Sequence, residues 1–198
     1  MTASKLNQGR IIFTLVLTFL VNFGFNFSLP ATTTQSFSES FSDGCGQSSE
    51  PWWNTAWTKR VKLSFHNNTL KSSLNNFPLL VKLTPDLIVY FKVLPNGQDL
   101  RFIDDDGKTV LNYEIESFNA NGESFIWVNV PKMNTASETD HIWLYYGNPL
   151  PDPTYSSNPE AVWDKDYMLV QHLKEMNGMH MDSTRLNNDA IEVSVAQQ

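Results

Sequence analysis

Between Arg60 and Tyr146 apolar residues recur at every second position, the period of a strand with one buried face. Val61, Leu63 and Phe65 alternate with Lys62 and Ser64, and Leu79, Val81 and Leu83 repeat the pattern across Phe77 to Leu83, where Pro78 requires the start of a strand or a sheet edge. The segment Asp99 to Glu116, DLRFIDDDGKTVLNYEIE, holds a strand, a turn and a strand: Leu100 and Phe102 alternate with polar neighbours, Asp105, Asp106 and Gly107 supply the turn, and Leu111, Tyr113 and Ile115 alternate again. An Asp-Gly pair flanked by period-two apolar residues is a strong local hairpin signal. Further strands are expected over Phe125 to Val130, ended by Pro131, and over His141 to Tyr146. Asp86 to Val93 is apolar at helical spacing behind Pro85, which predicts one short helix. Short strands separated by turns point to an all-β fold, an antiparallel, jelly-roll-like β-sandwich.

The amino terminus departs from this pattern. Lys5 and Arg10 precede a charge-free apolar run from Ile11 to Phe25, near the length of a signal-peptide core and shorter than the roughly 20 residues that span a bilayer. Residues 1–31 are therefore expected to form a signal or anchor helix. Cleavage after Ala31 would place Leu29 at a position where a small residue is preferred, and an uncleaved segment would touch the membrane through residues 11–30 only. Residues 32–50 are rich in Ser, Thr and Gly and suit a flexible linker. Residues 51–150 then form the sandwich, 151–167 a Pro-rich linker and 168–198 a separate C-terminal segment.

Composition narrows the classes. The chain of 198 residues is 41% hydrophobic and 13% aromatic, enough for a core. Its net charge of −7 becomes −9 once Lys5 and Arg10 are removed, which opposes binding to nucleic acid. The single cysteine, Cys45, permits no disulfide within the chain and reads as a linker thiol.

Several runs carry a resemblance to a known family. WWNTAWTKRVKLSF, NFPLLVKL, DLRFIDDDG followed by YEIES, FIWVNVP, and IWLYYGNP followed by AVWD resemble the bacterial domain of unknown function 2341 family, over about Trp52 to Asp164. HLKE at His172 to Glu175 and DSTRLNNDA at Asp182 to Ala190 are similar to the opening of a concanavalin A-like, laminin G-like lectin domain. The resemblance implies a β fold at the periplasm, cell surface or extracellular space. It implies no activity, and only the first strand or two of a lectin domain would fit before Gln198.

Four sets of residues are candidates for chemistry. Asp104, Asp105 and Asp106 before Gly107 invite a calcium ion, with Asp104 and Asp106 as ligands, although an acid is missing at Phe102 and a solvated turn explains the same residues. Glu114 and Glu116 lie two apart on one strand face, about 6.6 Å by strand rise, near the spacing of a glycosidase acid and base; two acids on a solvated face are the plainer explanation. Phe125, Trp127, Trp143 and Tyr145 occupy the strand positions opposite the core set. They form either an aromatic platform for pyranose rings or a second core layer, since both faces of those strands are apolar. His66, His141, His172 and His180 have no metal-site spacing with Cys or a second His. The chain is thus expected to be an exported, non-catalytic module without cofactor that binds polysaccharide or another envelope component. The alternatives are a spacer presenting a lectin-like domain and a glycoside hydrolase using Glu114 and Glu116.

Overall fold

The computed structural model describes residues 10–13, 35–38, 51–65, 67 and 70–190. The chain divides into two units, residues 27–158 and residues 1–26 with 159–198.

In the first unit the alternating segments become strands: β2 (Gln35–Ser38), β3 (Lys59–Phe65), β4 (Leu74–Leu83), β5 (Arg101–Ile103), β6 (Val110–Leu111), β7 (Tyr113–Ser117), β8 (Ser124–Met133) and β9 (His141–Tyr146). The label β1 belongs to Arg10–Phe13 of the other unit. Five strands form one sheet in the order β2-β3-β9-β5-β6, and three form a second in the order β4-β8-β7; every pairing in them is antiparallel. Val61, Leu63 and Phe65, with Phe102, Leu111, Ile142, Leu144 and Tyr146, meet Leu79, Val81, Leu83, Tyr113, Ile126, Val128 and Val130 in one core. These are the residues of the two-residue repeat. Removal of their side chains from water supplies the main drive for the two layers to close.

The expected hairpin is present, with one change of course. Phe102 pairs with Leu111 and Ile103 with Val110, and the turn closes with Gly107 N donating to Asp104 O (3.0 Å) and Asp104 N to Thr109 O (2.9 Å). At Asn112 the chain then leaves the five-stranded sheet, and Tyr113 to Ser117 pair with β8 in the other. Leu111 and Tyr113 both face the core, because a strand that turns the corner between two layers keeps its inward side.

Three expectations are corrected. Asp86 to Val93 is not a helix: it makes a turn closed on Thr84 O by Leu87 N and Ile88 N (3.0 and 3.1 Å), then a single 3-10 turn, Tyr90–Lys92. Leu87, Ile88 and Tyr90 are all buried, and Val89 between them has φ −89° and ψ 87°, outside the helical region. The Tyr90 hydroxyl lies within hydrogen-bond reach of Leu83 O (3.1 Å) and Ser124 Oγ (2.8 Å), fastening that turn to the sandwich. Pro131 does not end its strand, since β8 runs on to Met133. β7 reaches only as far as Val128, so at Pro131 the strand has β4 on one side alone and the missing N–H breaks no ladder. Within the expected linker, Gln35–Ser38 forms β2, antiparallel to β3. Pro78 lies inside β4, which is an edge strand.

The second unit contains β1, the short helix α1 (Pro159–Val162) and β10 (Tyr167–Gln171), with β1 and β10 parallel. Among its described residues, Val162, Trp163, Tyr167 and Val170 are the buried apolar ones. Apart from Arg10–Phe13, the segment expected to form the signal or anchor helix, Ala31 included, lies outside the described residues, as does Cys45. Among the described residues no helix is long and apolar enough to cross a membrane.

Candidate functional site

The five-stranded sheet has a second layer on its outer face. Pro51 to Thr58 turns back over it through Asn54, whose Oδ1 accepts from Ala56 N (2.9 Å) and whose carbonyl accepts from Trp57 N (3.2 Å). This turn sets Trp52, Trp53 and Trp57 against the outward residues of β9 and β5. Trp57, Ile103, Trp143 and Tyr145 are buried, and Trp52, Trp53 and Val110 pack on them partly exposed. The rings of Trp53 and Trp57 lie 5.0 Å apart; Tyr145 meets Trp52 at 5.3 Å and Trp53 at 5.7 Å in edge-on contacts, the geometry aromatic quadrupoles favour. Tyr155, 45% exposed, adds an edge contact to Trp53 at 6.5 Å.

Cations stiffen the layer. The Arg60 guanidinium lies 4.8 Å from the Trp52 ring and 4.3 Å from the Trp143 ring, and it donates to Pro51 O (3.3 Å) and the Tyr145 hydroxyl (3.2 Å). That hydroxyl also accepts from Trp53 N at 3.1 Å. Lys62 Nζ stands 5.6 Å from the Trp143 ring.

Beneath this layer Asp99 and Arg101 are both fully buried. Asp99 accepts from Leu94 N (2.8 Å), Gly147 N (2.6 Å) and Asn148 N (3.3 Å), while its carbonyl accepts from Trp57 Nε1 (2.6 Å). Arg101 donates to the carbonyls of Gln98, Leu100 and Asp152 at 2.6 to 2.9 Å, and to the Tyr113 hydroxyl at 3.4 Å. Both side chains are thus met mainly by backbone groups, and Arg101 Nε has no hydrogen-bond partner among the described residues. Burial raises the Tyr113 hydroxyl above its ordinary pKa despite the nearby Arg101. Gly147 is required here: its φ is +84°, and a Cβ would stand 2.5 Å from Thr58 Oγ1.

The four residues expected as one aromatic face are divided. Trp143 and Tyr145 belong to the layer just described, whereas Phe125 and Trp127 lie half-buried on the outer face of the three-stranded sheet. The core separates the two pairs, so they form no common platform. The reason is that β8 and β9 follow one another in sequence but enter different layers. Trp127 Nε1 donates to Glu116 Oε2 at 2.6 Å, and Glu114, opposite Trp127 in the register, is buried rather than solvated.

At the hairpin, Asp106 is used by its own turn: Oδ1 accepts from Lys108 N and Thr109 N (both 2.8 Å), and Oδ2 from Thr109 Oγ1 (2.6 Å). The hydrogen bonds from Thr109 hold its carboxyl below the ordinary value, while burial raises that of Asp104. His141 ring Nδ1 lies 3.0 Å from Thr139 O, and His172 packs against Trp163 with ring centroids 6.1 Å apart. Among the described residues no group of three His, Cys, Asp or Glu side chains is placed to hold a metal ion. The alternation of β9 contained the signal for a second layer, but nothing in it named Trp52, Trp53 and Arg60 as the partners.

Residues 96–188 match the family model described as Domain of unknown function (DUF2341). The match starts after the Trp52–Phe65 run and extends through His172–Glu175 and into Asp182–Ala190, stopping at Asn188. No curated protein and no solved structure matches the chain.

Proposed function

We propose that this chain, whose residues 96–188 match the DUF2341 family model, is an exported, non-catalytic module that binds polysaccharide through the aromatic layer on the five-stranded sheet. The observation that carries the reading is the group Trp52, Trp53 and Tyr155: the two indoles reach the surface while packed on the buried Tyr145 and Trp57, and the exposed Tyr155 ring meets the edge of Trp53. Rings fixed in this way lose little freedom when a sugar ring stacks on them, so more of the contact energy remains for binding. The uncharged run Ile11 to Phe25 behind Lys5 and Arg10 supports export.

A pull-down of the full chain on insoluble polysaccharides, followed by a glycan array, tests the proposal. Retention is expected to fall at least tenfold in Trp53→Ala and to persist in Trp127→Ala, each checked for an unchanged circular dichroism spectrum. Equal retention of Trp53→Ala and the parent overturns this site, as does absence of retention on every glycan, and leaves the layer a purely structural spacer element. Release of reducing sugar that is lost in Glu116→Gln would instead establish the hydrolase.

A further inference from the structure

The two aromatic faces of the sandwich carry opposite charge. Outside the three-stranded sheet the charged groups beside the rings are acids. Glu116 accepts from the Trp127 indole, Glu114 lies opposite Trp127 in the register, and the base of β4, Lys82, is paired with Glu123 at 2.6 Å. Outside the five-stranded sheet no acid occupies an outward position of β3, β5, β6 or β9. Arg60 and Lys62 on β3 and Arg101 on β5 all lie against indoles of that face instead. The chain as a whole has a net charge of −7, so this local excess of base runs against its average.

Lys62 is the base of this group that water reaches. Arg101 is fully buried, and Arg60 is 7% exposed, with its guanidinium 4.8 Å from the Trp52 ring and 4.3 Å from the Trp143 ring. Lys62 is only half-buried. It stands opposite Trp143 in the ladder, and its Nζ lies 5.6 Å from that ring, a contact that holds the ammonium beside the layer. Three printed-out contacts, Lys62 to Trp143, Trp143 to Arg60 and Arg60 to Trp52, thus connect it to an indole at the surface. Among the described residues no carboxylate pairs with Lys62. Asp104, just past β5, interacts with His141, whose ring meets Trp143 edge-on at 5.7 Å; burial raises that carboxyl, toward its neutral form.

A neutral sugar would use the indoles and leave the ammonium beside them unmatched, whereas a charged polymer uses both. A half-exposed ion pair adds modest affinity, and its main effect is selection between ligands. Repulsion from the rest of the acidic chain opposes any polyanion at long range, so a preference for one has to come from local contact. Building on the polysaccharide reading above, we propose that the aromatic layer takes a polysaccharide bearing anionic groups: the Lys62 ammonium pairs with a carboxylate or sulfate while a sugar ring of the same polymer stacks on Trp52 and Trp53.

Retention of the full chain at pH 7 is compared on beads carrying coupled polymers in two matched pairs, polygalacturonate with its methyl ester and dextran sulfate with dextran. The members of a pair share a backbone and differ in charge, and the pair that discriminates identifies carboxylate or sulfate as the group bound. Retention on the charged member is expected to be about fivefold greater, the scale of one half-exposed ion pair, and the ratio should shrink in salt of about 0.5 M. In Lys62→Gln the ratio is expected to fall to near one, and in Lys62→Arg to persist, with both variants melting as the parent does. A ratio unchanged in Lys62→Gln overturns the inference. Equal retention on charged and neutral members that is still lost in Trp53→Ala overturns it too, and leaves the polysaccharide reading standing. A preference lost in Lys62→Gln but indifferent to Trp53→Ala supports the cationic contact and overturns the aromatic one, and absence of retention on every bead overturns both.

Discussion

The two outer faces of the sandwich start from the same pattern, apolar residues at outward positions of adjacent strands, and end differently. On the five-stranded sheet Trp143 and Tyr145 are roofed by Trp52, Trp53 and Trp57 and become 4% and 1% exposed. On the three-stranded sheet Phe125 and Trp127 stay half-buried, with the Trp127 indole tied to Glu116. A stretch remote in sequence accounts for the difference. Pro51 to Thr58 supplies the roof, and beneath it the polar residues Asp99 and Arg101 are held mainly by backbone groups, with the Tyr113 hydroxyl also accepting from Arg101. An outward aromatic is therefore core or surface according to what folds over it, and its own strand does not decide.

The contrast predicts unequal costs for the same substitution. Trp57→Ala and Trp143→Ala each remove a buried indole and should cost about 3–5 kcal/mol of unfolding free energy. Trp127→Ala, half in water already, should cost about 1–2 kcal/mol. Urea unfolding followed by far-UV circular dichroism measures all three, and equal losses would mean that the two faces are energetically alike. Asp99→Asn should come next. It replaces a buried acceptor of three amide hydrogen bonds with a group that accepts through only one oxygen, at a cost of about 1–3 kcal/mol in the same unfolding measurement.

Much of the inner layer was legible from periodicity, and most of the outer layer was not. Val61, Leu63 and Phe65, Ile126, Val128 and Val130, and Ile142, Leu144 and Tyr146 all point inward as their spacing requires. The same period misplaces Asp99 and Arg101, which alternate with Leu100 and Phe102 as solvent-facing residues would, yet are fully buried. Alternation reports that two faces differ. It carries no information about a cover arriving from elsewhere, nor about which sheet a strand joins, so the passage from β6 to β7 at Asn112 leaves the pattern undisturbed. The apolar spacing of Asp86 to Val93 misled for a related reason: Leu87, Ile88 and Tyr90 are buried by packing on the sandwich, not along a helical stripe.

A third region sharpens the contrast by titration. Asp140 is buried in the loop before β9, and burial alone would raise its carboxyl. Hydrogen bonds from Asn134 (N 2.6 Å, Nδ2 2.9 Å), Ser137 Oγ (2.6 Å) and Asn67 Nδ2 (3.0 Å) outweigh that and hold it below the ordinary 3.8. Because the folded value is the lower one, its contribution is present above the unfolded pKa and is lost as pH falls through the folded pKa. Asp140→Asn should therefore be less stable than the parent at pH 7 by about 1–2 kcal/mol. The gap should close progressively below pH 3.8, and urea midpoints across pH 7 to 2 measure it. A gap that widened in acid would reverse the sign and remove the ionised carboxylate from the account.

The smallest effect belongs to the rim of the three-stranded sheet. Lys82 Nζ and Glu123 Oε1 lie 2.6 Å apart, with the two side chains 47% and 51% exposed. At that exposure water and salt screen the pair, and holding two long side chains in one geometry offsets most of the attraction. A double-mutant cycle over Lys82→Ala and Glu123→Ala should return a coupling of less than about 1 kcal/mol that shrinks further in 1 M salt. A larger, salt-resistant coupling would mean that this rim is drier than its exposure indicates, and the distinction between a roofed sheet and an open one would then have to be redrawn at Lys82.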